Sequence, residues 1–251
     1  MQNKFLKLIL KLLYLIVPVL FWFAIWDIAA LIVDHNYFLP TVKQTFSLLL
    51  KILSSFSFYR VVFFTVLRVL IGLALGIVLA IILTFVSCKS KIAKAIISPL
   101  ISVMKATPVV TLIIVLWIML SSETLPIVIA ILMVMPIVWQ NLIDGYETID
   151  QSLTEVCFVF EFSIFKRFKY LIFPTLLKYF IPSVITAAGL AWKSEIATEI
   201  IAYTKNSIGK FINDANYSYD SPAVFAWTLV IIALSISLEF LTKRLMKRFK
   251  V

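Results

Sequence analysis

The sequence predicts an all-α, polytopic integral membrane protein with six transmembrane helices. Of its 251 residues, 62% are hydrophobic and only 14% are charged, whereas a soluble domain has about 45–50% apolar and about 25% charged residues. Apolar runs also recur at the length of about 20 residues that a helix needs to cross the hydrocarbon core of a bilayer. We therefore expect lipid to be the solvent of this chain.

The six predicted helices form one transmembrane domain over residues 1–251, and they cover about 12–33, 61–87, 95–120, 124–143, 177–202 and 222–242. The first run is longer than the about 7–15 apolar residues of a signal peptide. It is therefore predicted to be an uncleaved membrane helix, interrupted only by Asp27. Prolines inside these runs are compatible with membrane helices, where neighbouring groups satisfy the freed backbone.

Lysine and arginine concentrate before the first helix, between helices two and three, between helices four and five, and after the sixth. The positive-inside rule then predicts that both termini lie in the cytoplasm. The same distribution accounts for the net charge of +10 without nucleic acid, because no soluble basic domain is present. The external segments are then about 34–60, 121–123 and 203–221, and the last of these is predicted to be a polar loop.

The sequence lacks the signatures of an enzyme or a metal site. The only Gly-Lys pair, Gly209-Lys210, has Thr204 where the phosphate-binding loop requires glycine. A single histidine, His35, excludes paired-histidine metal sites and is predicted to lie at the membrane interface. The two cysteines, Cys88 and Cys157, fall on predicted cytoplasmic segments, so we expect no disulfide. We predict no catalytic residues, no cofactor and no metal in this chain.

Ionisable residues inside apolar spans are costly and usually face a cavity, a partner or a helix-bundle interior. Two alternatives therefore stay open for each of them, a place on a translocation or gating path, or structural pairing. Glu195 and Glu199 are four residues apart and share a helix face. The set comprises Asp27, Arg68, Lys105, Lys193, Glu195 and Glu199.

The longest cytoplasmic segment, about 144–178, contains charged and aromatic residues in the order E-V-C-x3-E-x9-L-I-F-P from Glu155 to Pro174. This spacing resembles the E-A-A-x3-G-x9-I-x-L-P signature of permease subunits in binding-protein-dependent ABC importers. Val156 and Cys157 occupy the two alanine positions, and Glu161 occupies the glycine position. Only Glu155 and Pro174 keep the residue type of the signature.

The resemblance extends from about residue 38 to the C-terminus. It includes FLPT (38–41), TVLRVLIGLALGIVLAI (65–81), residues 98–108, ITAAGLAW with ATE (185–199), and PAVFAWTLVII (222–232). It is strongest to the nitrate/sulfonate/taurine-type branch. The resemblance implies a type I ABC importer permease fold, a separate ATP-binding subunit that alone uses ATP, an extracytoplasmic solute-binding protein, and a second permease chain as a homodimer partner.

By the same resemblance, the segment from Glu155 forms a short coupling helix that docks into the ATP-binding subunit. The docking residues implied are Glu155, Val156, Cys157, Phe158, Glu161, Phe162 and Pro174. Glu161 departs from the family, because glycine there permits a positive φ that glutamate adopts only with strain. The alternative for this segment is an amphipathic helix that lies on the bilayer.

Gly72 and Gly76 form a GxxxG pattern that lets two helix backbones approach closely. Packing within the chain and packing between two permease subunits both remain open. For the whole protein, the alternatives are a secondary transporter or channel that works without ATP, and a membrane enzyme. The former favours inverted repeats with broken helices in both halves, and the latter a polar catalytic cluster. The sequence shows neither.

Overall fold

The structure is a computed structural model that describes residues 2–33 and 38–248. His35, predicted to be interfacial, lies outside these residues. The described residues form helices and no strand. In chain order they are α1 (Gln2–Val33), α2 (Val42–Leu53), α3 (Phe56–Lys89), α4 (Lys91–Ala106), α5 (Val109–Trp117), α6 (Leu125–Glu147), α7 (Gln151–Val159), α8 (Ile164–Arg167), a π-helical turn (Phe168–Ile172), α9 (Phe173–Ile201), α10 (Ile208–Tyr217) and α11 (Ser221–Lys247).

Five helical stretches in the described residues are long and apolar enough to cross a membrane. The number rises to six when α4 and α5 count together as one bent span. The all-helical fold class is confirmed. The five stretches are Ile16–Val33, Phe56–Lys89, Leu125–Glu147, Ile164–Ile201 and Ser221–Lys247.

The continuous helix predicted over residues 95–120 is instead two helices, bent by 101°. Thr107 precedes a proline and takes an extended backbone, with φ −77° and ψ 127°, because the proline ring disfavours the helical conformation of the preceding residue. Pro108 has no N–H to donate, and α5 begins directly after it. The proline is visible in the sequence, but the apolar pattern continues on both sides of it. The pattern therefore could not show whether Pro108 kinks one helix or separates two.

The described chain divides into two compact units. The first comprises Met1–Tyr59 and Phe211–Val230. Its α2 begins with a capping box, in which the Thr41 side chain accepts from the Gln44 N–H and the Gln44 side chain accepts from the Thr41 N–H. Asp27 of α1 accepts a hydrogen bond from the Val42 N–H at 2.8 Å. The charge within the first span thus anchors the start of α2.

The second unit comprises Arg60–Lys210 and Ile231–Val251. In it α3 packs tightly on α6, because Gly72 and Gly76 have no side chain to separate the two backbones. A Cβ added to Gly72 would lie 2.5 Å from the Ala130 Cβ, and one added to Gly76 would lie 2.7 Å from the Val134 Cβ. The GxxxG pattern therefore serves packing within the chain.

The segment predicted as an external polar loop, residues 203–221, is mostly ordered into α10. Near its start, Thr204, Ser207 and Ile208 are fully buried, whereas Tyr203, Lys205 and Asn206 are exposed. The loop expectation was wrong here because the polar groups that suggested solvent are satisfied by other buried groups of the second unit, described below.

Candidate functional site

The segment predicted to couple to a partner forms a helix, a turn and a second helix. The Asp150 carboxylate caps the start of α7 by accepting from the Ser152 N–H at 2.9 Å. Hydrogen bonds from Ser152 lower the pKa of Asp150, so the cap remains charged at neutral pH. Asp150 thus sets where α7 begins.

The turn after α7 is closed by Glu161 in the left-handed conformation, with φ 50°. The Phe162 N–H donates to the Cys157 carbonyl at 2.9 Å and the Glu161 N–H donates to the Phe158 carbonyl at 3.0 Å. These two bonds form a Schellman motif, in which the left-handed position is usually glycine. The family's glycine position therefore keeps the glycine geometry, although the residue is glutamate.

After this turn the chain re-enters a helix that continues into the membrane span. Ser163 caps α8, and the helix then widens into the π-helical turn, where the Phe173 N–H donates to the Phe168 carbonyl. Pro174 lies in the first turn of α9. It offers no N–H, and its ring clashes with the carbonyl four residues earlier in a regular helix. The π-helical turn relieves both problems.

The surface of α7 and α8 is apolar but exposed. Phe158 is 86% exposed and lies outside the candidate membrane spans. Ile164 and Phe165, 85% and 86% exposed, are the first residues of the Ile164–Ile201 span. We call this exposed set the coupling surface; it comprises Val156, Phe158, Val159, Phe160, Ile164 and Phe165. Beside it, a cavity of about 510 Å³ is lined by Thr154, Glu155, Cys157, Phe158, Val159, Phe162 and Arg167. An exposed apolar patch with a charged rim is typical of a protein interface.

A second polar group lies inside the second unit and centres on Glu199, which is fully buried. Its carboxylate accepts from the Thr65 hydroxyl at 2.8 Å, from Arg68 Nη1 at 3.0 Å and from the Gly209 N–H at 3.2 Å. The Arg68 guanidinium also donates to the Lys205 carbonyl at 2.9 Å. The carboxylate is thus paired and hydrogen-bonded, as a buried charge must be.

Glu195, one turn before Glu199, is also fully buried. Its carboxyl oxygens receive no hydrogen bond from any N–H or hydroxyl of the described residues. The buried Trp192 Nε1 nearby also has no acceptor among these residues. The carboxyl instead interacts with that of Glu199. Both glutamates are enclosed among the described residues.

Comparison with known proteins identifies the family. Residues 72–251 match the family model described as binding-protein-dependent transport system inner membrane component. The chain belongs to this family. It is therefore an ABC importer permease, an integral membrane transport subunit, and membership implies association with an ATP-binding subunit and a binding protein.

The permease fold also agrees with a solved structure. A chain from the crystal structure of an amino acid ABC transporter with histidines matches with a TM-score of 0.62 and 14% identity, over 77% of this chain and 92% of that one. At this identity the likeness shows the fold alone. No curated protein matches the sequence.

The permease places its remaining sequence-predicted charges on the surface. Lys105 lies exposed at the end of α4, one residue before the α4–α5 break, and Lys193 lies exposed on α9. In the part of the chain that the structure describes, no group of three or more His, Cys, Asp or Glu residues is placed to hold a metal ion.

Sequence reasoning missed Thr65 and Gly209 as partners of Glu199. Thr65 is fully buried and also accepts from the Ile208 N–H at 3.1 Å. A Cβ on Gly209 would lie 2.5 Å from the Ile200 nitrogen, so only glycine allows this approach. The position of Thr65 one turn before Arg68 on the same helix could have suggested a shared partner. That partner, Glu199, lies 134 residues away in the chain.

Proposed function

We propose that this permease imports a small solute across the bacterial inner membrane, and that α7, the Glu161 turn and α8 dock the ATP-binding subunit. The coupling surface carries this proposal. Phe158 and Phe160 are exposed on the part of this segment that precedes the Ile164–Ile201 span. Exposed apolar patches of this kind mark surfaces at which a protein binds a partner.

The turn geometry supports docking at this place. Glu161 holds α7 and α8 at a fixed angle through the Schellman bonds, and α8 continues through the π-helical turn into α9. Movement of a docked subunit would therefore pass directly to a membrane span. Glu155 is exposed on α7 and offers a carboxylate to a hydrogen-bond donor or cation of the partner.

The proposed solute is a small anion of the nitrate, sulfonate or taurine type, or a related small molecule. Lys105 and Lys193 are exposed cations near or within spans, and an exposed cation on a path attracts an anion. The acidic residues that argued against an anion, Glu195 and Glu199, are inside the second unit. They do not reduce the positive charge of a path along these lysines.

The proposed assembly has two copies of this chain, with the path between them. The family implies a binding protein that delivers the solute from outside. ATP binding would bring the two ATP-binding subunits together and move the coupling helices. The chain would supply the path and the coupling helices, and ATP hydrolysis would occur in the partner.

Co-purification and uptake test the proposal. The tagged permease, produced with the ATP-binding subunit from its own gene neighbourhood, should retain that subunit, and Glu155→Lys should reduce the retained amount at least about tenfold. Such a loss corresponds to about 1.4 kcal/mol of docking free energy. Glu123→Lys, a reversal at an exposed glutamate outside this segment, is the matched control. Uptake that persists without ATP hydrolysis would favour an ATP-independent secondary transporter or channel.

A further inference from the structure

A second cavity, of about 740 Å³, lies between the ends of α3, α6 and α11 and the beginning of the Ile164–Ile201 span. Its volume falls within the range of about 300–1,000 Å³ that is usual for ligand sites. It borders the coupling segment, since Ile164 of the coupling surface lines it and Arg167 lines both cavities.

Most side chains that line this cavity are apolar, and the charged ones are all positive. Ile81, Phe85 and Leu176 are among the side chains of the wall, and Lys89 and Arg167 are its charged residues. Among the described residues that line it, none is acidic. Lys89 and Arg167 are both exposed, and the Lys89 amine lies 4.3 Å from the centre of the Phe85 ring, against the wall.

We propose that this cavity binds an anionic phospholipid, with an acyl chain along the apolar wall and the headgroup phosphate between Lys89 and Arg167. Both cations stand where a span leaves the membrane or enters it: Lys89 ends α3 and Arg167 ends α8. That is the depth of a lipid headgroup. Basic pockets between membrane helices on the cytoplasmic side suit anionic headgroups.

A water-soluble solute fits this cavity less well, because an apolar wall leaves its polar groups without partners. A protein partner would have to enter among lipid-exposed helix ends and would need a negative charge opposite both cations. An anionic lipid has an apolar chain for the wall and a negative charge for the two cations, and it is already in the surrounding bilayer. Since Arg167 lies on α8, the bound lipid would join the coupling segment to the end of α3.

Native mass spectrometry of the purified full-length permease, titrated with phosphatidylglycerol or phosphatidylcholine, tests the proposal. The wild-type protein should retain one phosphatidylglycerol per chain with at least about tenfold selectivity over phosphatidylcholine. Equal retention of the two lipids would overturn the proposal without any variant. Soluble glycerol phosphate that competes as well as the lipid would also overturn it, because the acyl chain would then contribute nothing.

Charge variants locate the site. Lys89→Gln with Arg167→Gln should weaken phosphatidylglycerol binding about 30-fold, since each cation near an anionic membrane surface contributes about 1 kcal/mol. Lys91→Gln with Lys166→Gln removes the same charge from positions that do not line the cavity, and it should leave binding within about threefold of wild type. Equal loss in the two double variants would contradict the assigned site.

Occlusion gives an independent readout. Cys88 lines the cavity, whereas Val86 on the same helix does not, so Cys88→Trp should reduce lipid retention and Val86→Trp should not. If Cys88→Trp instead separates a dimer and leaves lipid retention unchanged, the cavity is an interface between two copies of the chain and the lipid proposal is wrong.

Discussion

At the residue scale, three helices are followed by a residue other than glycine whose backbone is in the left-handed conformation, which usually favours glycine. Glu161, Tyr203 and Tyr219 have φ of 50°, 52° and 55° and follow α7, α9 and α10. None of the five glycines has a positive φ. Four of them instead stand where a Cβ would collide with a neighbour. Glycine is therefore used in this protein for close approach rather than for turns.

Glu161→Gly should stabilise the turn between α7 and α8. Glycine removes the strain of a left-handed side-chain residue, which is worth about 1 kcal/mol. Hydrogen exchange of the Glu161 and Phe162 amides should slow about fivefold for a gain of that size. Glu161→Ala keeps the Cβ and is the control, with no gain expected. Faster exchange in Glu161→Gly would show that the glutamate side chain itself holds the turn.

Glu199 illustrates how a charge in a span can be structural. Glu199→Gln should lower the melting temperature in detergent, because it removes the ion pair to Arg68 and turns an amide N–H toward existing donors. Loss of a charged hydrogen bond costs about 1.5–3 kcal/mol. Glu123→Gln makes the same chemical change at an exposed position and should leave the melting temperature within about 1 °C. Equal melting of the two variants would contradict the structural role.

At the element scale, the α3–α6 contact depends on glycine and the α4–α5 break depends on proline. Backbone approach at Gly72 and Gly76 lets α3 pack directly on α6. The break at Thr107–Pro108 directs α5 toward α6 and α9, and Ile113 of α5 is fully buried with Leu125 and Ile129 of α6. A straight helix over this stretch would not bring Ile113 to that core.

Gly72→Ala and Gly189→Ala should have opposite effects, although the chemical change is the same. Alanine at 72 would place its Cβ 2.5 Å from the Ala130 Cβ, and overpacking of this kind costs about 1–3 kcal/mol. Alanine at 189 meets nothing within 4 Å and should gain about 0.5–1 kcal/mol from its helix propensity. Thermal unfolding of the two variants in detergent measures both signs.

A destabilising Gly189→Ala would have its own meaning. Because the chain leaves open space at this position, a loss would show that a second copy packs there. A stabilising Gly72→Ala would contradict the close α3–α6 approach.

At the scale of the whole molecule, the spans determine which surfaces meet each partner. The distribution of basic residues along the sequence predicts that both termini and the segment around α7 are cytoplasmic. The same predicted topology puts the turn after α10 outside. An ATP-binding subunit would then meet the cytoplasmic segment, and a binding protein would meet the outer one.

Single-cysteine labelling checks this arrangement. In a background with Cys88→Ala and Cys157→Ala, a membrane-impermeant maleimide should label Tyr217→Cys in intact spheroplasts and Lys166→Cys only after lysis. Tyr217 is 75% exposed, and Lys166 is exposed on α8, so access rather than burial controls the reaction. Labelling of Lys166→Cys in intact spheroplasts would reverse the predicted orientation.

The sequence by itself determined the fold class and the family, and it indicated the segment that we propose to dock the ATP-binding subunit. Apolar runs predict the spans directly, because the hydropathy of a span depends only on consecutive residues. The spacing from Glu155 to Pro174 is likewise a pattern within one short stretch. The sequence left the backbone of Glu161 open, because glutamate takes the place of the signature's glycine, and the structure shows a positive φ there.

Only the tertiary structure decided what the buried charges do. Glu199 had two open alternatives, because its partners Thr65 and Arg68 lie more than 130 residues away in the chain. The burial of Ile208 involves one of the same partners, because its N–H donates to the Thr65 hydroxyl. A polar residue is expected at the surface unless another element provides its hydrogen-bond partners. Which element does so depends on how the helices pack.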